Sequence, residues 1–342
     1  MNLTQYMFLA FLSFTISCCY AQKDIDAFLK EQHQNGKLNG NILVIKEGKT
    51  LYNQSFGYAN ATKTEKLTKN HRFNIGSIYK EFPAVAIMQL QEKGMLNTDD
   101  KITKYLDNLP QWAQQISITQ LLQYSSGLPR VNWGKYFKNN QNITENDLFK
   151  DLSAIKELEF QPGTDYIYTN YSPLLLIKII EQVTQLDYTT YLHKHIFEPF
   201  GLTSTILNQQ YPYLNTPLMA IPFDDNFKQD QYKFNVPYLL MAATVGDLSQ
   251  WLQQLHTFKI INKESLRFIS NKFEKEGNVQ APLGFCDWQD GVVLEHSHHG
   301  SSGNYEGIIR RFPKEKLMII ILTNQKHGNV RDLSNRIHEI VR

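Results

Sequence analysis

The chain has 342 residues, a formal net charge of +2, and hydrophobic and charged shares of 42% and 20%. That balance is typical of a folded globular protein. It excludes a nucleic-acid partner recruited by bulk charge, and the chain has no Lys/Arg stripe, glycine-rich phosphate loop or internal repeat.

The N-terminal stretch "MNLTQYMFLAFLSFTISCCYAQ" carries a short apolar run from Tyr6 to Ile16, then small residues. It predicts a secretory signal over residues 1–21 with cleavage after Ala21, too short to span a membrane. Two other readings rank below it. A buried first helix fits poorly, because charge begins abruptly at Lys23. Lipidation at Cys18 or Cys19 ranks second, because Thr15 stands where a lipobox normally has leucine. The expected location is therefore periplasmic or secreted, with membrane contact only if one of those cysteines is lipidated. Cys286 alone remains after cleavage, so no internal disulfide is expected, and "LGFCDW" places it as a packed strand residue.

From 39 to 60, "NGNILVIKEGKTLYNQSFGYAN" alternates apolar and polar residues around "KEGK", which predicts a β-hairpin. "AVAIMQLQEKG", with Gly94 as its C-terminal cap, "SPLLLIKIIEQVTQ" and "VGDLSQWLQQLH" have helical spacing. "PLGFCDW", "GVVLEHS", "NYEGIIRRFP" and "KLMIIILTNQ" predict strands. The run Leu317 to Leu322 is apolar throughout, as a strand buried on both faces would be. A last helix follows from Arg331 to Arg342. The expected layout is one domain, 22–342, of mixed α+β class. Its sheet comes from about 22–75 and 280–342, and a mainly helical region fills about 76–279.

Three short patterns carry candidate chemistry. Ser-x-x-Lys occurs twice, at Ser77/Lys80 and Ser153/Lys156, and the chain's 17 serines and 27 lysines make about one pair expected by accident. Context favours Ser77, which follows Gly76 and opens a strongly apolar helix. Residues i and i+3 share a helix face, and a buried lysine loses its charge easily enough to act as a base. Ser153 sits in the charged segment "DLSAIKELEF" and reads as solvated helix surface. Tyr-x-Asn occurs at Tyr58, Tyr168 and Tyr213. Only Tyr168 lies in a loop between a Pro-Gly turn and an apolar helix; the bland alternative is a tyrosine capping the core. A tyrosine beside a lysine can relay a proton to a leaving group, and Asn170 can hydrogen-bond an amide. Lys/His-x-Gly occurs four times, and His298-His299-Gly300 stands on a strand where glycine would let a substrate backbone lie close. A zinc site at His296 and His298, which share a strand face, is the weaker reading because no second ligand cluster is evident.

In order, Ser77-x-x-Lys80, Tyr168-x-Asn170 and His298-x-Gly300 resemble the three motifs of the serine β-lactamase and penicillin-binding-protein superfamily, in its class C-like branch. The likeness extends to "GSIYKEF", "LLQYSSGLP", "IFEPFGLTST" and "IIILTN", and covers nearly the whole chain after the signal. The resemblance implies an antiparallel sheet from both chain ends flanked by helices, plus a mainly helical subdomain. It implies an acyl-enzyme: Ser77 attacks a carbonyl, Lys80 is the base, Tyr168 shuttles the proton, and the backbone N–H groups of Ser77 and Ser301 form the oxyanion hole. No metal or organic cofactor is implied.

Four departures shape the expected substrate. His298 replaces the family's usual lysine, so strong demand for a substrate carboxylate is not expected. Pro83 is expected to kink the helix past Lys80 and loosen the pair. Tyr124 stands where the family usually has histidine, and Asn304 where it usually has glycine. The expected activity is hydrolysis of esters or D-amino-acid-containing peptides and amides, cell-wall peptide among them. The alternatives are β-lactamase activity, or a catalytically silent cell-wall peptide binder.

Overall fold

The structure, a computed structural model, describes residues 20–138 and 141–342. Most of the expected signal, with Cys18 and Cys19, lies outside the described residues. Helix α1 runs through residues 20–34. It buries Ile25 and Leu29, four positions apart on one face.

The expected hairpin forms as β1 (Gly40–Lys46) and β2 (Lys49–Phe56). Its two turn residues, Glu47 and Gly48, have φ of 53° and 74°. Such a left-handed two-residue turn matches the twist of the flanking strands. The longest helices in the middle of the described chain are α2 (Glu81–Glu92), α3 (Tyr171–Thr184) and α4 (Val245–His256). Gly94 ends α2 as expected, with φ of 68° and the Met95 N–H bonded to the Leu90 carbonyl at 3.0 Å. The C-terminal segments give β3 (Phe285–Gln289), β4 (Val292–Ser302), β5 (Tyr305–Phe312) and β6 (Leu317–Thr323). Helix α5 (Val330–Val341) closes the chain.

The six strands form one antiparallel sheet in the order β2-β1-β6-β5-β4-β3. β6 lies near its centre, and all its residues are buried, as its unbroken apolar run predicts. Side chains alternate between faces. Met318, Ile320 and Leu322 pack with Leu43 and Ile309 into the core shared with α2, α3 and α4. Leu317, Ile319 and Ile321 pack with Ile42 and Val44 against Ile25 and Leu29 of α1 and Leu333 and Ile337 of α5. Each such side chain contributes roughly 1.5–3 kcal/mol by burial.

The middle of the chain is less purely helical than expected. Phe73–Asn74 and Ile206–Leu207 pair with Met241–Ala243, and Asn142–Thr144 pairs in parallel with Lys233–Asn235. These strands are two or three residues long, too short for an alternating pattern to appear in sequence.

Candidate active site

Ser77 and Lys80 lie on a 3₁₀ turn, Gly76–Lys80, that runs directly into α2. In such a turn residues i and i+3 eclipse. Lys80 Nζ accordingly lies 3.0 Å from Ser77 Oγ. Pro83 does not loosen this pair. It falls in the first turn of α2, where backbone N–H groups have no helical partner to lose. Lys80 is 4% exposed, and burial lowers its pKa from the ordinary 10.5 to about 7. Its ammonium end sits 4.7 Å from the Tyr168 ring centre and 4.8 Å from that of Tyr79.

Tyr168 is carried by the loop before α3. The N–H groups of Gly163 and Ile167 bond the carbonyls of Ser125 and Tyr124 at 2.8 and 3.0 Å, and Thr169 Oγ1 donates to the Pro129 carbonyl at 2.7 Å. Tyr124 packs its ring 4.8 Å from that of Tyr168. The residue that replaces the family histidine is thus a buried buttress. Burial pushes the Tyr168 pKa up to about 12, opposed by a hydrogen bond from Ser77. Near neutral pH Tyr168 therefore keeps its proton, whereas Lys80 is poised to lose one. Asn170 begins α3 without capping it, and its Oδ1 accepts from the Tyr79 hydroxyl at 3.4 Å.

The third strand motif meets this turn through two reciprocal glycines. A Cβ on Gly300 would lie 2.1 Å from the Ile75 carbonyl oxygen and 2.9 Å from the Ser77 nitrogen. A Cβ on Gly76, whose φ is 51°, would lie 2.3 Å from the Ser301 nitrogen. Only glycine at both positions lets the Ser77 and Ser301 backbones come this close. Gly300 thus serves the protein's own backbone packing.

His298 also differs from expectation. It does not line the substrate cavity, and it is 2% exposed, with Nδ1 bonded to Glu81 Oε1 at 2.8 Å. Burial lowers its pKa below the ordinary histidine value, with the Lys80 charge nearby acting in the same direction. His296 shares the strand face and also meets Glu81 Oε1, at 3.0 Å. Among the described residues, no group of three or more His, Cys, Asp or Glu side chains is arranged to hold a metal.

A cavity of about 700 Å³ opens over Ser77, Lys80, Asn170 and Ser301. Its walls are Trp133, Phe137, Tyr232, Phe234, Leu239 and Leu240. Among the described residues, Asp230 is the one acidic side chain lining it, and it binds the backbone N–H of Asn304 at 2.9 Å. Among the described residues, Lys80 is the one basic side chain lining it. Outside the cavity, exposed Lys326 reaches Ser301 Oγ at 3.4 Å. Sequence reasoning missed Glu81, the aromatic wall and Lys326. Glu81 reads in the sequence as an ordinary first-turn acid, and only the fold shows that every residue from Glu81 to Leu90 is buried, so that a charge there needs partners. The wall residues lie in loops and short segments with no periodicity to expose them. The expected strand residue Cys286 is a free thiol on β3, its pKa raised by burial. Ser153, by contrast, is exposed on its helix.

"Protein flp" of Staphylococcus aureus (strain MRSA252) is 27% identical over 318 residues, covering 89% of this chain. The match spans only 63% of the relative's own length. The octameric penicillin-binding protein homologue from Pyrococcus abyssi superposes with a TM-score of 0.71 at 25% identity, over 88% of this chain and 73% of its own. D-amino acid amidase from Ochrobactrum anthropi SV3, at 20% identity, shares the fold with a TM-score of 0.76 over 95% of this chain and 98% of its own. The beta-lactamase family profile matches residues 23–341, and the chain belongs to that family.

Proposed function

We propose that the protein is an exported serine hydrolase that works through an acyl-enzyme on esters or on D-amino-acid-containing peptides and amides. The observation that carries this reading is the 3.0 Å contact between Ser77 and a lysine whose pKa burial lowers to about 7. At neutral pH about half of such a lysine is unprotonated, against roughly one part in 3,000 for an ordinary one. Neutral Lys80 takes the Ser77 proton as Oγ bonds the substrate carbonyl carbon. Tyr168, still protonated, gives its proton to the leaving group and is reprotonated from Lys80. The N–H groups of Ser77 and Ser301 receive the oxyanion. Water then attacks the acyl carbon and releases Ser77.

The substrate side of the reading follows from the cavity. Its aromatic walls suit an apolar acyl group, and His298 offers no fixed positive charge to a carboxylate. The named amidase of the same fold is consistent with D-amino-acid amides as one option. The silent-binder alternative rests on the altered third motif and on Pro83, and the intact Ser77–Lys80 contact answers the second of these. Export rests on the apolar leader alone. The test is hydrolysis of p-nitrophenyl esters and D-amino-acid amides by wild type and Ser77→Ala. The reading expects turnover in the former and a loss of at least a thousandfold in the latter; equal rates overturn it.

A further inference from the structure

The proposed chemistry leaves one charged group of the cavity unused. Asp230 lines the same cavity as Ser77, Lys80 and Ser301. It sits against the two-residue turn of Gly303 and Asn304 that joins β4 to β5, where Ser302 pairs with Tyr305. Gly303 has φ of 54°, and a Cβ there would lie 2.1 Å from Asp230 Oδ2, so only glycine leaves room for the carboxylate. Asn304 clamps that carboxylate: its backbone N–H donates to Oδ2 at 2.9 Å, and its Nδ2 donates to Oδ1. The Asp230 backbone is held as well. Its N–H donates to the Pro222 carbonyl at 3.1 Å, and its carbonyl accepts from the Tyr211 hydroxyl at 3.0 Å. Asn304, which stands where the family usually has glycine, thus supplies a side-chain donor that glycine lacks.

The clamp fixes the carboxylate without saturating it. Each carboxylate oxygen has two lone pairs, so one donor apiece leaves both able to accept another bond. Among the described residues, no lysine, arginine or histidine is ion-paired to Asp230, and the cavity's basic group, Lys80, is bonded to Ser77 instead. Aromatic rings complete the surroundings. Tyr232 lies against the same glycine, with its ring centre 6.2 Å from that of Phe137. Trp133 follows, 6.3 Å from Phe137 and 5.8 Å from Phe234. Ring faces attract cations, and a carboxylate beside them favours an ammonium over a neutral or anionic group. Gly303 is two residues past Ser301, whose N–H is assigned to the oxyanion. Two residues span at most about 7 Å, so the carboxylate stands about one or two residue lengths from the reacting carbonyl.

We propose that Asp230 is a specificity-determining residue that binds a substrate ammonium, carried by the residue next to the one that bears the scissile carbonyl. The substrates are then short peptides or amides with a free amino group at that position, and acylating this amine removes the preference. Asn304 holds the carboxylate in place before substrate arrives, so little ordering remains to oppose binding. This inference rests on the hydrolase reading for its chemistry, but the ammonium site is measurable without turnover.

The experiment uses the full chain and a charge series on one peptide, glycyl-D-phenylalanine p-nitroanilide, with its amino group free, acetylated or succinylated. Wild-type kcat/KM at pH 7 is expected to fall in that order, at least tenfold between the first two. Asp230→Asn is expected to lower kcat/KM for the free amine at least tenfold more than for the acetylated peptide. A carboxylate that merely caps the turn would lower both alike. That result, or a wild-type preference for an acylated peptide, overturns the proposal. Should Asp230→Asn not fold, Asn304→Gly, which frees one oxygen of the carboxylate, is expected to reduce the free-amine preference at least threefold, and an unchanged preference overturns it. Calorimetry on Ser77→Ala separates this inference from the hydrolase reading. That variant is expected to bind glycyl-D-phenylalanine amide at least tenfold more tightly than the acetylated amide; equal affinity, or no binding of either, overturns the proposal. The expected binding preference in a protein whose wild type hydrolyses none of the series would sink the hydrolase reading and leave the ammonium site standing.

Discussion

Replacing Lys80 with methionine should stabilise the protein, and by an amount that depends on pH. Lys80 is 4% exposed, and its pKa falls from 10.5 to about 7 on folding. Between those values the unfolded state binds a proton that the folded state does not, so stability rises with pH by about 1.4 kcal/mol per unit. Below pH 7 both states are protonated, and the full cost of burying the ammonium, about 4–5 kcal/mol, is present. At pH 9.5 only about 1–2 kcal/mol of it remains. Lys80→Met removes the titrating group and nearly conserves volume. Its other effects, including the lost bond to Ser77, are largely independent of pH. The advantage of the variant over wild type should therefore shrink by about 3 kcal/mol from pH 6.5 to pH 9.5. Urea denaturation of both proteins at the two pH values, read by tryptophan fluorescence, measures this difference directly. An advantage that stays constant or grows with pH would mean that Lys80 keeps an ordinary pKa, and the argument for it as the base would fail.

Three further outcomes follow. Tyr168→Phe keeps the packing against Tyr124 but removes the proton carrier, so kcat should fall about 10²- to 10⁴-fold with the melting temperature nearly unchanged. Gly300→Ala drives a methyl group into the Ile75 carbonyl, 2.1 Å away, and should cost about 1–3 kcal/mol of stability together with most activity; a stable, active variant contradicts the oxyanion-hole geometry. Lys326→Met should raise KM several-fold for substrates with a carboxylate, because its Nζ is 3.4 Å from Ser301 Oγ. Neutral esters should be unaffected, and an equal effect on both classes would assign Lys326 a structural role.

Local patterns reported local facts well. The hairpin turn, the unbroken strand Leu317–Thr323 and the glycine cap of α2 each reflect a period or a backbone rule confined to a few residues. Ser77 and Lys80 were readable for the same reason, since one short turn brings them together. What stayed hidden was tertiary. Glu81 looks like an ordinary first-turn acid, yet Trp251, His296 and His298 reach it from 170 or more positions away. Alternation correctly put His296 and His298 on one face but could not say what covers that face. Pro83 misled because the boundary between the 3₁₀ turn and α2 decides whether a proline interrupts a helix or begins one.

The central claim is that Ser77 is a nucleophile activated by Lys80. Intact-mass spectrometry after exposure to a fluorophosphonate and, separately, to a penicillin, followed by peptide mapping, tests it most directly. The account predicts a single adduct on Ser77, formed faster with the fluorophosphonate and absent in Lys80→Ala. No adduct on the folded wild-type protein, or labelling that persists without Lys80, would contradict it.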